Sequence, residues 1–282
     1  MAPASQGATA AFAGAPDETE LERRVDPARL PRHIAVIMDG SGRWAARYHR
    51  PRVTGHLAGV RAVRATVEAC VRLHIPALTL YAFSAENWRR PQAEVNFLMR
   101  LLRRYLRSEI RELNQQNVRL GAIGRLHELP AMVQRDLESS LAATAANTGM
   151  VLTLALNYGA RHELADACQA IVEEARQQGS LEDLTITESD IAAHLSTAHL
   201  PDLDLLIRTS GELRLSNFLL WQLAYAEIWT TPVLWPDFRG ADLLQALLAF
   251  QSRERRFGGL SAQEELRYRL KLPRAERGSR RP

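Results

Sequence analysis

This sequence predicts a single α/β domain on a mostly parallel sheet of about six strands, and three observations carry that expectation. Short apolar runs end in turn residues, as strands do. Between them lie longer stretches with apolar residues at helical spacing. The chemically distinctive residues fall just after the strand-like runs, where ligands bind in sheets whose strands are joined by helices. Helices flanking the sheet would cover both of its faces.

The elements follow in order. HIAVIMDG (33–40) is an apolar run closed by Asp-Gly, a strand running into a turn. Leu57, Val60, Val63, Val67 and Val71 recur at helical spacing, which predicts a helix over 57–73. IPALTLYAFS (75–84) is a second strand. Pro91 sits where a first helical turn tolerates proline. In the helix after it, Val95, Leu98, Met99, Leu102 and Leu106 form one stripe, with Arg100, Arg103, Arg104 and Arg107 elsewhere. Then come a strand at 118–124, a helix over 131–146, a strand at 150–158, and helices over 161–177 and 187–195. The strand at 203–211 leads into a helix over 217–228, and VLWP (233–236) into a last helix over 241–256. No repeat or linker interrupts 31–260.

Composition narrows the function. At 282 residues the chain can bury about three quarters of its unfolded surface, so no disulfide or metal staple is needed. Cys70 and Cys168 both fall in helix-like apolar patterns, which predicts two buried thiols in a reducing compartment. Residues 267–282 hold seven basic residues and one acid, so this tail supplies +6 and residues 1–266 carry −2 of the +4 total. Such a tail can touch anionic lipid or nucleic acid, although a solvated, disordered end is the commoner case. Lys271 in that tail is the only lysine, which argues against Schiff-base and P-loop chemistry. No apolar run approaches eighteen residues, so no membrane span is expected. Residues 1–30 read as a disordered leader rather than a signal peptide, 31–260 as the domain, and 261–282 as a disordered basic tail. The expected compartment is the cytoplasm, with peripheral attachment at the inner face of the membrane as the alternative.

Three strand ends carry the chemistry. The first runs into Asp39-Gly40-Ser41-Gly42-Arg43-Trp44: glycines let backbone N–H groups face an anion, Asp39 can hold a divalent cation, and Arg43 can pair with phosphate. Read alone, the segment is also compatible with a plain Asp-Gly turn. The second runs into Ser84-Ala85-Glu86-Asn87-Trp88-Arg89-Arg90, where hydroxyl, carboxylate, amide, indole and guanidinium groups crowd one loop. The fifth runs into Arg208-Thr209-Ser210-Gly211-Glu212-Leu213-Arg214-Leu215-Ser216. Arginine forks suit diphosphate oxygens, and Glu227 in the apolar stretch beyond needs a metal or an arginine as partner. Together these ends suggest one polyanion site.

HIAVIMDGSGRWA, PRVTGH, LTLYAFSAENWRRP, NVRLGAIG, NTGMVLTLALNYG, DLLIRTSGELRLSNFLLWQLAYAEIW, VLWPDF and RERRFGG closely resemble the undecaprenyl diphosphate synthases, bacterial cis-prenyltransferases of the isoprenyl transferase family. The resemblance covers roughly residues 31–259 with order and spacing kept. It implies Mg²⁺-dependent condensation of isopentenyl diphosphate with an allylic diphosphate, such as farnesyl diphosphate, by a homodimer whose product passes to the inner face of the membrane. The short- or medium-chain cis-prenyl diphosphate synthases remain an alternative.

Position by position, the resemblance implies that Asp39 and Asn87 are catalytic and that Asp39 holds the metal. Gly40, Ser41, Gly42, Arg43, Trp44, Arg52 and His56 would surround the allylic diphosphate. Ser84, Ala85, Glu86, Trp88 and Arg90 would form a mobile substrate loop with Asn87. Arg208, Arg214, Leu215 and Ser216 would hold isopentenyl diphosphate, while Glu227 would complete the metal site from the partner subunit. It also implies an apolar tunnel, with Ile75, Val118 and Met150 near its far end or, equally, in ordinary core. Three positions depart from the family pattern: Ser41 replaces asparagine in the phosphate loop, His49 a glycine, and Ser210 a glycine.

Rivals fit less well. The trans-type prenyl synthases use a DDxxD motif on all-helical scaffolds, and no DDxxD occurs here. An aspartate-nucleophile phosphatase lacks its second aspartate at position 41. A non-catalytic isoprenoid-binding subunit finds support only in Ser41, and a nucleic-acid role only in the tail.

Overall fold

The computed structural model describes residues 17–253. Its core is a six-stranded, all-parallel sheet in the order β3-β4-β2-β1-β5-β6. The strands are β1 His33–Ile37, β2 Ala77–Ser84, β3 Arg119–Ile123, β4 Val151–Tyr158, β5 Leu205–Arg208 and β6 Glu227–Thr230. The helices are α1 Glu18–Arg24, α2 Ser41–Arg47, α3 Arg52–Arg72, α4 Gln92–Ser108, α5 Ile110–Gln115, α6 Ala131–Thr144, α7 Ala160–Gln178, α8 Glu188–His194 and α9 Gly240–Gln251.

Every residue of β1 is buried, as expected of a strand covered on both faces. Successive side chains point to opposite faces, so Ile34 and Val36 join one apolar cluster while Ala35 and Ile37 join the other. The larger cluster includes residues of α3, α4, α6 and α9; the smaller gathers around Tyr158, Ala160, Leu206 and Phe218. With β2 on one side of β1 and β5 on the other, the chain reverses its direction of travel across the sheet at β1. A crevice opens at the carboxyl end of such a strand.

Four expectations need correction. The segment 217–228 is not a helix. Ser216, Asn217 and Leu219 adopt positive φ of 53°, 59° and 45°, and turns lead to β6 at Glu227–Thr230. Asn217 is tied three ways: its carbonyl accepts from Ala160 N (2.8 Å), its Oδ1 accepts from Arg161 N (2.9 Å), and its Nδ2 donates to Glu86 (2.9 Å). Phe218, stacked on Tyr81 at 4.2 Å, then enters the core without a helix. VLWP is likewise not a strand, because Trp235–Asp237 is one 3₁₀ turn.

Part of the expected leader is structured: Leu21 and Val25 of the α1 segment join the large core, and Arg72 of α3 pairs with Glu18 and Glu22 at 3.1 and 3.0 Å. Residues 1–16 and the basic tail lie outside the described residues. Finally, Cys70 is buried as expected, but Cys168 is exposed on α7; both are free thiols.

Candidate active site

Asp39 lies just beyond β1, at the reversal point. Its backbone N–H donates to Thr209 Oγ1 (2.9 Å), the Thr209 hydroxyl donates back to its carbonyl (2.7 Å), and Trp235 N donates to the same carbonyl (3.0 Å). Its carboxylate accepts from Gly40 N (2.7 Å) and from Arg208 Nη2 (3.0 Å). Gly40 has φ 105°, a backbone that side chains rarely adopt, and a Cβ there would stand 2.9 Å from Leu234 Cδ2. Ser41 opens α2 and is buried.

Arg208, the last residue of β5, has a side chain only 4% exposed. Nη1 donates to Ser216 Oγ (2.9 Å) and to the Arg214 carbonyl, while buried Nε has no hydrogen-bond partner among the described residues. A buried guanidinium with one unsatisfied donor suits an anion, since an orphaned polar group is costly. Arg43 is held by Ser210, through its carbonyl at 3.0 Å and its Oγ at 2.5 Å, and by Glu212 at 3.0 Å. Arg214 pairs with Glu212 at 2.5 Å.

On the opposite side, Glu94 of α4 gathers three groups: Arg90 at 2.9 Å, His56 at 3.4 Å and Arg52 at 3.6 Å. Burial opposes its ionisation, yet Arg52 and Arg90 outweigh that and hold its carboxyl below the usual range. Burial, aided by Arg90, keeps the His56 imidazole below its ordinary value despite Glu94. After β2 the loop is capped reciprocally, with Asn87 Oδ1 accepting from Ser84 N at 3.2 Å.

Part of this set borders one cavity of about 390 Å³, whereas Gly40, Arg43, Arg52, Glu94, Thr209, Ser210 and Glu212 do not line it. The cavity wall is polar at Asp39, Ser41, His56, Ser84, Asn87, Arg90, Arg208, Arg214 and Ser216 and apolar at Val60, Val63, Leu98, Met99, Leu102, Tyr105 and Leu156. The Tyr81 and Tyr105 phenols, pushed well up by burial, stay neutral there. The arrangement fits an amphiphile with an anionic head and a hydrocarbon tail.

The match that decides the family spans residues 37–258: the chain fits the prenyltransferase family model described as "Putative undecaprenyl diphosphate synthase". The chain belongs to this family. It is 52% identical to the isoprenyl transferase of Heliobacterium mobile over 244 residues, which are 86% of this chain and 94% of that one. It is 51% identical, over 229 residues (81% and 91%), to the ditrans,polycis-undecaprenyl-diphosphate synthase of Vibrio cholerae, described as (2E,6E)-farnesyl-diphosphate specific. Lavandulyl diphosphate synthase from Lavandula x intermedia, solved with dimethylallyl diphosphate, superposes with a TM-score of 0.78 at 38% identity, covering 82% of this chain and 99% of that one. A probable undecaprenyl diphosphate synthase from Campylobacter jejuni superposes at 0.67 and 34%, covering 81% and 98%.

Several residues assigned through the family resemblance stand back from the cavity. Gly42 faces the Arg52 guanidinium, where a Cβ would lie 3.1 Å from Cζ. Trp44 donates to Asp237 (2.7 Å) and lines an adjacent groove. Trp88 donates to Asn157 (2.7 Å) and stands edge-on to Phe83, anchoring the loop from beneath. Ala85 and Glu86 occupy the same 3₁₀ turn, while Leu215 packs on the smaller core.

Glu227 is not beside Asp39 within the chain. It opens β6 level with Leu205, which pairs with Ile34, whereas Asp39 lies past Ile37 at the other end of β1. Its carboxylate pairs instead with Arg253 at 2.5 Å. Ile75, Val118 and Met150 precede β2, β3 and β4 at the sheet end away from Asp39; all three are buried in the large core, and none borders the cavity.

Sequence reasoning missed Glu94 and the part Trp235 plays in holding the Asp39 carbonyl. Glu94 resembles any helix carboxylate until α3 and α4 meet. Leu98, Met99 and Leu102 were legible as a stripe, but not as cavity wall.

Proposed function

We propose that this chain is a Mg²⁺-dependent cis-prenyltransferase that condenses isopentenyl diphosphate with farnesyl diphosphate in Z configuration. Its product would be undecaprenyl diphosphate, the lipid carrier for cell-wall synthesis. The observation that carries the reading is one cavity whose wall combines guanidinium and carboxylate groups with an extensive apolar lining. The named activity of the Vibrio cholerae relative and the dimethylallyl diphosphate in the Lavandula structure point the same way.

Asp39 fits magnesium. This ion is usually held by one or two carboxylates together with substrate phosphates, and Asp39 stands among phosphate-suited donors. When bound, the ion would add positive charge at the diphosphate leaving group. The α2 N-terminus, Arg43 and Arg52 would orient the allylic diphosphate. Arg208, Arg214 and Ser216 would hold isopentenyl diphosphate, with the Arg208 Nε donor satisfied by its phosphate oxygens. Negative charge developing on the leaving group meets guanidinium groups already fixed in place. Asn87, its Oδ1 engaged by Ser84, would position isopentenyl diphosphate for loss of its proton. The apolar wall would exclude water and receive the growing chain.

A role for Glu227 in the metal site requires a second copy of the chain, so the proposal includes a homodimer. Its support is the exposed β6 edge, where Ile228 and Tyr225 are open to solvent.

The test is incorporation of radiolabelled isopentenyl diphosphate with farnesyl diphosphate, with and without a chelator, resolving products by length. A magnesium-dependent ladder ending at undecaprenyl diphosphate is expected. Absence of incorporation from allylic primers of several lengths would overturn the reading.

A further inference from the structure

The face formed by α3 and α4 outside the active-site cavity carries an unusual pairing of charge and apolar surface. A groove bordered by Arg50, Leu57, Arg61, Arg64 and Arg104 runs along it, and it shares Arg104 and Ser108 with a second concavity bordered by Arg100, Arg103 and Arg107. Leu57, Arg61 and Arg64 on α3, and Arg100, Arg104 and Arg107 on α4, repeat at i, i+4, i+7, so α4 presents a basic stripe and α3 a stripe of two arginines and a leucine. Arg64 is paired with Glu109, while Arg103 and Arg107 share Asp136. No ion pair holds Arg50, Arg61, Arg100 or Arg104 among the described residues. Leu57, which borders the groove, is 45% exposed, and Tyr48, 51% exposed, packs against Trp44 of the groove wall at 4.7 Å. Val60, Leu101 and Tyr105 border both this groove and the active-site cavity, leaving one layer of side chains between them.

We propose that this face docks on an anionic phospholipid bilayer, with Arg50, Arg61, Arg100 and Arg104 on lipid phosphates and Leu57 and Tyr48 in the interface. Charge complementarity selects an anionic partner, and exposed apolar groups among the arginines suit a bilayer better than a nucleic-acid backbone. The shared wall gives the docking a purpose under the prenyl-chain reading: a long hydrocarbon product would leave sideways into lipid. Lipid binding itself does not depend on turnover, so this proposal and the activity assignment fail separately.

The test uses the full chain in flotation with phosphatidylcholine vesicles, with and without phosphatidylglycerol. Binding should require phosphatidylglycerol and weaken with salt. One arginine at such a surface is worth about fivefold in affinity. Arg61→Gln, Arg100→Gln and Arg104→Gln together should therefore weaken binding on the order of 100-fold, with circular dichroism and solution turnover unchanged. Unchanged binding in that triple variant would place any lipid affinity in the arginines beyond residue 266 and overturn the proposal. Binding to a duplex oligonucleotide but not to vesicles would overturn it as well.

Discussion

Arg208 Nη2 donates to Asp39 Oδ2 at 3.0 Å, joining the ends of β5 and β1 where the sheet changes direction. The bond orients a carboxylate that is partly open to the cavity and leaves Arg208 Nε free for a ligand. Asp39→Ala should lower turnover at least about 100-fold, the scale seen when one preorganised charge-stabilising group is lost. Circular dichroism should stay native. Steady-state rates near those of the unaltered chain would remove Asp39 from the mechanism.

Glu94 holds Arg52, Arg90 and His56 at the cavity edge. In Glu94→Gln the two guanidinium groups lose their counter-charge, and KM for the diphosphate substrates should rise about fivefold, roughly 1 kcal/mol. Under the binding role proposed for these groups, kcat should hardly move. A fall in kcat with KM constant would contradict that division.

The same cluster sets an acid response. Folding holds the His56 value below 6.5, so between its folded and unfolded values the unfolded chain binds the extra proton, and stability falls as pH drops through that window. Glu94 has its folded value below 4.5; it contributes stability above 4.5 that is lost as pH falls through the folded value. Thermal melting against pH should therefore show a loss starting near 6.5 and a second below 4.5. His56→Gln should weaken the first without erasing it, because burial holds His33 below 6.5 as well, and should keep the second.

Gly55 lets α3 pass directly under α2, and a Cβ there would stand 2.0 Å from the Ser41 carbonyl oxygen. Since that contact is with backbone, Gly55→Ala should push the start of α2 away and cost about 1–3 kcal/mol or more. Thermal denaturation measures the loss; an unchanged melting temperature would contradict the close approach.

Leu102 is part of the apolar wall of the cavity. Leu102→Trp should shorten the product distribution while leaving the first condensation largely intact, because it takes up room for hydrocarbon and leaves the charged groups unchanged. Chromatography of chain-extended products checks this, and an unchanged ladder would move the chain's path elsewhere.

The sequence by itself determined the parallel sheet, the strand-end positions of Asp39, Ser84 and Arg208, and the family, because short apolar runs, turn residues and motif spacing are local signals. It misread 217–228, where helix-like periodicity yields to the three bonds that tie Asn217 and draw Phe218 into the core. Only the tertiary structure decided that Glu94 gathers three groups, that Leu98 and Leu102 border a cavity while Val95 and Leu106 are buried, and that Glu227 lies away from Asp39. Each depends on contacts between segments far apart in the chain. Local pattern records which residues are apolar or charged, but which groups they meet is fixed only when sheet order and helix packing bring distant segments together.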